Sequence, residues 1–227
     1  WRSLDLPHDW TIEGPFSREN SSCTGYLPGG IGWYRKSFPV SGEDEDRRLL
    51  ISFDGIYNNS EVWINGEYLG KRPNGYISFW YDITPYLKFG TNNLIAVKVD
   101  HTQDGDSRWY TGSGIYRDVK LIITNRVYIK QWGIYCTAPE VTKERASLSV
   151  KTDIVNETGK KMKVLVSNIL TYKGREIGSA QKKITVEAGA GSLLSQNIMV
   201  ENPELWDVDY LTHVDQVRIF DLWIQIE

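Results

Sequence analysis

Short runs in which apolar and polar residues alternate, each closed by turn formers, recur along the whole chain. A period of two places every second side chain on one face, the pattern of a half-buried β-strand. Residues 48–54 (RLLISFD) and 93–100 (NLIAVKVD) are two such runs. Residues 61–65 (EVWIN) lead into Asn65 and Gly66, a dipeptide suited to a two-residue hairpin because both positions tolerate positive φ. Residues 67–70 supply the return strand. Farther on, runs at 146–155, 161–172, 181–186 and 192–200 are separated by turns that include 156–159 (NETG) and 172–175 (YKGR). That spacing predicts an antiparallel sandwich, and no long amphipathic stretch calls for a helix. The chain reads as all-β, two sandwiches in series.

Composition places the boundary between them. Residues 1–125 hold 6 Trp, 9 Tyr and 5 Phe, against 3, 4 and 1 in residues 126–227. The first part carries a net charge of −3 and the second none, so the expected domains are 1–125 and 126–227. With 26 basic and 29 acidic residues in 227, the chain has no electrostatic footprint for nucleic acid or an anionic membrane. No apolar run is long enough to cross a bilayer as a helix. Two cysteines cannot build a disulfide framework, and their spacing suits no zinc site. The chain opens on Trp1 without a Met or a signal peptide, as an excised piece would, and the compartment stays open.

No complete catalytic constellation emerges from the residues. The acidic cluster at 43–46 (EDED) lies in a polar loop and reads as a solvated turn. No nucleophile elbow accompanies His8, His101 or His213, and residues 111–115 (TGSGI) do not form one. His8 and His101 are expected to be structural or surface histidines. Residues 27–32 (LPGGIG) lack the Lys-Ser/Thr and the helix of a phosphate loop. What remains is a concentration of aromatic and polar residues in two loop segments, 25–34 and 104–117. A sugar site stacks an aromatic ring on the C–H face of a pyranose and sets planar polar groups at its hydroxyls. In the second segment Arg108 could fork onto vicinal hydroxyls and Asp106 accept from them. The competing reading has Trp109 and Tyr110 plugging the end of a core. Trp33, Trp63, Phe79 and Trp80 are expected to pack in the core or at the sandwich edge.

A family resemblance enters at these residues. Segments 6–10 (LPHDW), 32–38 (GWYRKSF), 53–57 (FDGIY), 62–66 (VWING), 75–79 (GYISF), 82–84 (DIT), 90–94 (GTNNL) and 108–119 (RWYTGSGIYRDV) follow one another in order. Together they resemble the N-terminal domain of glycoside hydrolase family 2, most like its bacterial β-galactosidases. The remainder, with 201–206 (ENPELW), resembles the immunoglobulin-like domain that comes next in that family. The resemblance implies a galactose-binding-type jelly roll followed by an immunoglobulin-like sandwich. It also implies that the hydrolytic glutamate pair sits on a (β/α)₈ barrel with no counterpart in these residues, so no catalytic residue and no activity are expected of the chain by itself. The loop at 106–114 is expected to reach toward that barrel's active-site mouth, with Asp104, Asp106, Arg108 and Trp109 as substrate-rim candidates. No cofactor is expected here; a sodium or magnesium ion, reached by Asp104 or Asp106, belongs to the full-length enzyme. Expected partners are a β-galactoside, the barrel and further copies of the chain. β-Glucuronidases and β-mannosidases share the domain order, and a free-standing carbohydrate-binding module is the alternative. Residues 210–220 depart from the family's usual pattern, and the chain past about residue 212 is expected to be less ordered.

Overall fold

The computed structural model describes residues 1–103, 107 and 109–205, with backbone alone at 23, 218–219 and 224–226. The chain is all-β, as its alternation predicts, and divides into two compact units, Trp1–Thr124 and Asn125–Glu227.

Seven strands build the first unit: β1 (Gly30–Val40), β2 (Arg48–Phe53), β3 (Ser60–Ile64), β4 (Glu67–Arg72), β5 (Phe79–Asp82), β6 (Thr91–His101) and β7 (Val119–Thr124). They form a jelly-roll sandwich of two antiparallel sheets, ordered β1-β6-β3-β4 and β5-β2-β7. Inward residues of both sheets meet in one core, with Leu49, Ile51 and Phe53 facing Val62, Ile64, Ile95, Val97 and Val99. The Phe53 and Phe79 rings stack inside it, 5.1 Å between centroids. Asn65 (φ 52°) and Gly66 (φ 94°) make the tight β3–β4 hairpin that the Asn-Gly pair predicts.

β2 departs from simple alternation, since every one of its residues is buried. It is the central strand between β5 and β7. Its outward Arg48 lies over the Trp80 ring and donates to the Asp82 carboxylate at 3.0 Å, which satisfies a buried charge.

In the second unit, β8 (Val127–Val141), β9 (Arg145–Asn156) and β12 (Ala190–Glu201) form one sheet. β10 (Met162–Tyr172) and β11 (Arg175–Val186) form the other, and the short β13 (Arg218–Ile219) and β14 (Ile224–Ile226) pair with β10. Val127, Ile154, Val164, Val166, Val186 and Leu194 share the core of this immunoglobulin-like sandwich. Two differences from the sequence reading stand out. β11 begins at Arg175, because Lys173 and Gly174 at positive φ make a two-residue turn straight out of β10. β8 has no clean alternation, because its pairing with β9 shifts register between Ile129 and Ile134, where Trp132 takes φ 57°. The expectation of a less ordered end falls on residues outside the described ones, except β13 and β14. Cys136 is a free thiol, half-buried, and burial pushes its pKa up.

The acidic cluster is a capped surface turn. Ser41 accepts from the Glu43 amide at 3.2 Å, and Gly42–Asp44 form a single 3₁₀ turn.

Candidate functional site

The loop joining β6 to β7 carries the predicted rim. Asp104, Asp106 and Arg108 lie outside the described residues. Trp109 is described and does not plug the core: it is 62 % exposed. Its indole Nε1 donates to the Tyr76 hydroxyl at 3.0 Å, and its backbone is tied to Ser107 Oγ. Tyr76 belongs to the β4–β5 connection. That connection is turned by Asn74, whose Oδ1 accepts from the Tyr76 and Ile77 amides at 2.8 and 3.3 Å. Tyr76 also meets Tyr57 edge-on at 5.3 Å. Trp109, Tyr110 and Tyr76 are thus exposed aromatics from two neighbouring loops, joined by a side-chain hydrogen bond.

What holds the loop is the N-terminal segment. His8 N donates to Ile115 O at 2.8 Å and Trp10 N to Ser113 O at 3.0 Å, so residues 8–10 run as a short ladder beside 113–115. On its other side Gly114 exchanges two 2.9 Å backbone bonds with Tyr57. Asp9 binds the two segments through its side chain. Its Oδ1 accepts from the Thr11 amide at 2.9 Å and the Ser113 amide at 2.8 Å, while Oδ2 accepts from the Tyr110 hydroxyl. Burial, and then the adjoining Asp9 carboxylate, raise the Tyr110 pKa. Beneath lies a buried relay in which Thr11 donates to Ser113 Oγ at 2.6 Å, itself 2.7 Å from His101 Nδ1. This Ser–His pair is covered on all sides and serves the fold, as the structural reading of His101 expects.

Two glycines make the close approach feasible. Gly112 takes φ 70°, and a Cβ there would sit 2.6 Å from Asp9 Oδ2. Gly114 takes φ 135°, and a Cβ there would meet the Tyr34 hydroxyl and the His8 carbonyl. Tyr34 is itself bonded to His8 Nδ1 at 2.8 Å, and burial pushes its pKa up to about 12.

Trp10 anchors the segment by packing beside Gly32 and Tyr34, its Nε1 donating to Gly29 O at 3.3 Å. Arg117 reaches the Tyr76 carbonyl at 3.4 Å, and Tyr116 donates to Gly75 O at 2.7 Å, so both brace the rim from below. Sequence reasoning singles out Trp109 as a candidate but neither its partner Tyr76 nor the clamp role of Asp9. An Asp two residues before Thr11 signals a local turn, and nothing local signals its bond to Ser113.

The family comparison decides what this architecture belongs to. Residues 10–125 match the profile described as glycosyl hydrolases family 2, sugar binding domain, and residues 127–212 match the second profile of that family. The chain belongs to glycoside hydrolase family 2. It is similar to β-galactosidase BoGH2A of Bacteroides ovatus, 49% identical over 212 residues, covering 92% of this chain and 25% of that protein. A putative β-glucuronidase of Formosa agariphila is 41% identical over 209 residues, covering 91% and 19%. Among solved structures, a family 2 member from Bacteroides cellulosilyticus superposes with a TM-score of 0.87 at 34% identity, covering 92% of this chain and 28% of that one. A β-glycosidase from Bacteroides vulgatus gives 0.80 at 41% identity, covering 92% and 26%. The chain therefore spans about a quarter of the length of the first of these curated relatives and less of the second.

Proposed function

We propose that these two sandwiches are the non-catalytic portion of a retaining β-galactosidase-type family 2 hydrolase. They brace a (β/α)₈ barrel that carries the glutamate pair, and the rim loop lends Trp109 to the substrate's edge. The observation that carries this reading is an exposed indole bonded to Tyr76, next to loop residues Tyr110 and Ser113 that Asp9 holds, in a chain 49% identical to a β-galactosidase. In retaining hydrolysis one carboxyl group protonates the leaving oxygen, and the second forms a glycosyl-enzyme that water then opens. Both belong to the barrel in this proposal. The chain's own part is to hold an aromatic wall in place before substrate arrives, so little ordering is left to do on binding.

Asp104, Asp106 and Arg108 complete the proposed rim. A sodium or magnesium ion is proposed for the full-length enzyme only. Among the described residues no three His, Cys, Asp or Glu side chains converge to hold a metal ion, and no step is routed through one. Assembly of several copies through these domains belongs to the same proposal. The relative named as a putative β-glucuronidase supports a second parent activity.

The test has two arms. The purified 227-residue chain is expected to release no nitrophenol from either a nitrophenyl β-galactoside or the β-glucuronide; clear turnover would overturn the division of labour. In the full-length enzyme the galactoside is expected to be the faster substrate, with Trp109→Ala raising KM about tenfold and changing kcat less. Faster cleavage of the glucuronide would move the assignment to the second activity.

A further inference from the structure

An asparagine followed by glycine is the pairing in which the main chain attacks a side-chain amide most readily, because a residue without a Cβ leaves its own nitrogen unhindered. The chain holds two such pairs, Asn65–Gly66 and Asn74–Gly75. Both lie in turns of the first unit, and the fold treats them differently. Asn65, in the β3–β4 hairpin, is locked. Its Nδ2 donates to the Tyr86 carbonyl and to Asn93 Oδ1, each at 2.8 Å, and its Oδ1 accepts from the Leu94 amide at 2.9 Å. Asn93 is itself buried, with its Oδ1 also accepting from the Lys88 amide and its Nδ2 donating to the Lys88 carbonyl. Swinging the Asn65 carboxamide onto the Gly66 nitrogen would break all three of its bonds together.

Asn74, in the β4–β5 connection, is exposed. Its Oδ1 accepts from the Tyr76 amide at 2.8 Å and the Ile77 amide at 3.3 Å, while its Nδ2 has no partner among the described residues. Because Oδ1 reaches the amide two residues on, the side chain is folded forward along the chain, past the Gly75 nitrogen. Two N–H groups aimed at one carbonyl oxygen draw electrons from Cγ and stand where negative charge gathers when a nucleophile adds there. The nitrogen that must leave is the one that nothing holds. Glycine is also required at 75, since a Cβ would lie 2.2 Å from Tyr57 Cδ2.

We propose that Asn74 is a site of spontaneous deamidation in the folded chain, and that the fold protects Asn65 from the same reaction. The Gly75 nitrogen bonds to Asn74 Cγ and gives up its proton, and the Cγ–Nδ2 bond breaks to release ammonia. The five-membered succinimide left behind is opened by water at either of its two carbonyls. Opening at the side-chain carbonyl gives aspartate, which still accepts the Tyr76 and Ile77 amides and adds a negative charge to those bonds. Opening at the main-chain carbonyl gives isoaspartate, with the chain now running through the side-chain carbon. That lengthens the backbone by one carbon just before Tyr76, whose hydroxyl accepts from Trp109 Nε1. The reaction consumes only water, and its isoaspartate branch shifts one of the two aromatic residues joined at the rim.

The experiment incubates the 227-residue chain at mildly alkaline pH, once folded and once unfolded in urea, and follows both asparagines by peptide mass spectrometry. Electron-transfer fragmentation separates aspartate from isoaspartate. In the folded chain Asn74 is expected to convert about tenfold faster than Asn65 or more, the ratio that a single retained hydrogen bond would produce. In urea the two rates should converge, since both asparagines precede glycine. Asn93→Ala, which removes one acceptor from Asn65 Nδ2, should speed conversion at Asn65 and leave Asn74 unchanged, with circular dichroism checking that the variant is folded. An Asn74 that converts in urea but not in the folded chain overturns the proposal. So does an Asn65 that keeps pace with Asn74 in the folded chain. A difference that persists undiminished in urea assigns it to the neighbouring sequence rather than the fold, and overturns the protection of Asn65.

Discussion

Asp9 shows how much of the rim rests on one side chain. Its carboxylate accepts two backbone amides and a phenol, and one of those amides, that of Ser113, lies 104 positions away from Asp9. Charge-assisted bonds of this kind contribute more than neutral ones, and their donors are left unsatisfied when the acceptor goes. Asp9→Ala is expected to destabilise the first unit by about 2–3 kcal/mol, read from urea unfolding. Asp9→Asn, which keeps shape and one acceptor, should lose less. Two tyrosines beside it make a pH prediction. Tyr34 is raised to about 12 and Tyr110 is raised as well, both by burial first. Above pH 10 an unfolded chain loses these phenolic protons while the folded chain retains them. The stability they confer is therefore complete below pH 10 and falls as pH rises toward 12. Urea midpoints measured from pH 9 to 11 should decline, and the decline should be shallower in Tyr34→Phe and Tyr110→Phe. An unchanged slope in both variants would show that these hydroxyls do not set the alkaline limit.

At the scale of elements, two glycines with positive φ should respond very differently to the same substitution. Gly66 turns the β3–β4 hairpin at φ 94° with open space where a Cβ would go. Gly66→Ala then carries only the backbone penalty, about 1–2 kcal/mol. Gly114 at φ 135° is walled by the Tyr34 hydroxyl and, at 2.6 Å, by the His8 carbonyl. Gly114→Ala must move the N-terminal segment or the loop, and about 3 kcal/mol or more is expected, again by urea unfolding. Similar losses at both sites would mean that the close approach at Gly114 is not tight. The contrast also shows what the sequence makes legible. The Asn65–Gly66 hairpin, the alternation of β6 and the all-β class are local, because side-chain period and turn chemistry are written within a few residues. β8 was not legible, because a register shift at Trp132 breaks its period. Burial of β2 on both faces was not legible either, since it depends on which strands flank it. Trp109 stood out by composition, whereas the Asp9–Ser113 contact joins positions that no local pattern connects.

For the whole molecule, the relevant fact is that each unit closes its own apolar core. The first gathers residues from all its strands except β4 and β7 among the fully buried set, with Leu69 and Val119 packed against it. The second does the same in two clusters spread over β8 to β12. In the second unit, Asn156 is a buried counterpart of Asp9. Its Nδ2 donates to the carbonyls of Lys160, Val186 and Glu187 at 2.9–3.1 Å, and its Oδ1 accepts from Thr158. A domain of roughly a hundred residues with a closed core generally folds alone. Residues 1–124 expressed separately are therefore expected to unfold in one cooperative urea transition. In the intact chain, Asp9→Ala should move that transition, and Asn156→Ala should move the one belonging to the second unit, each leaving the other in place. If residues 1–124 gave no cooperative transition, the seven strands would not suffice to hold the clamp, and Trp109 would lose the rigid support on which its proposed place at a substrate rim depends.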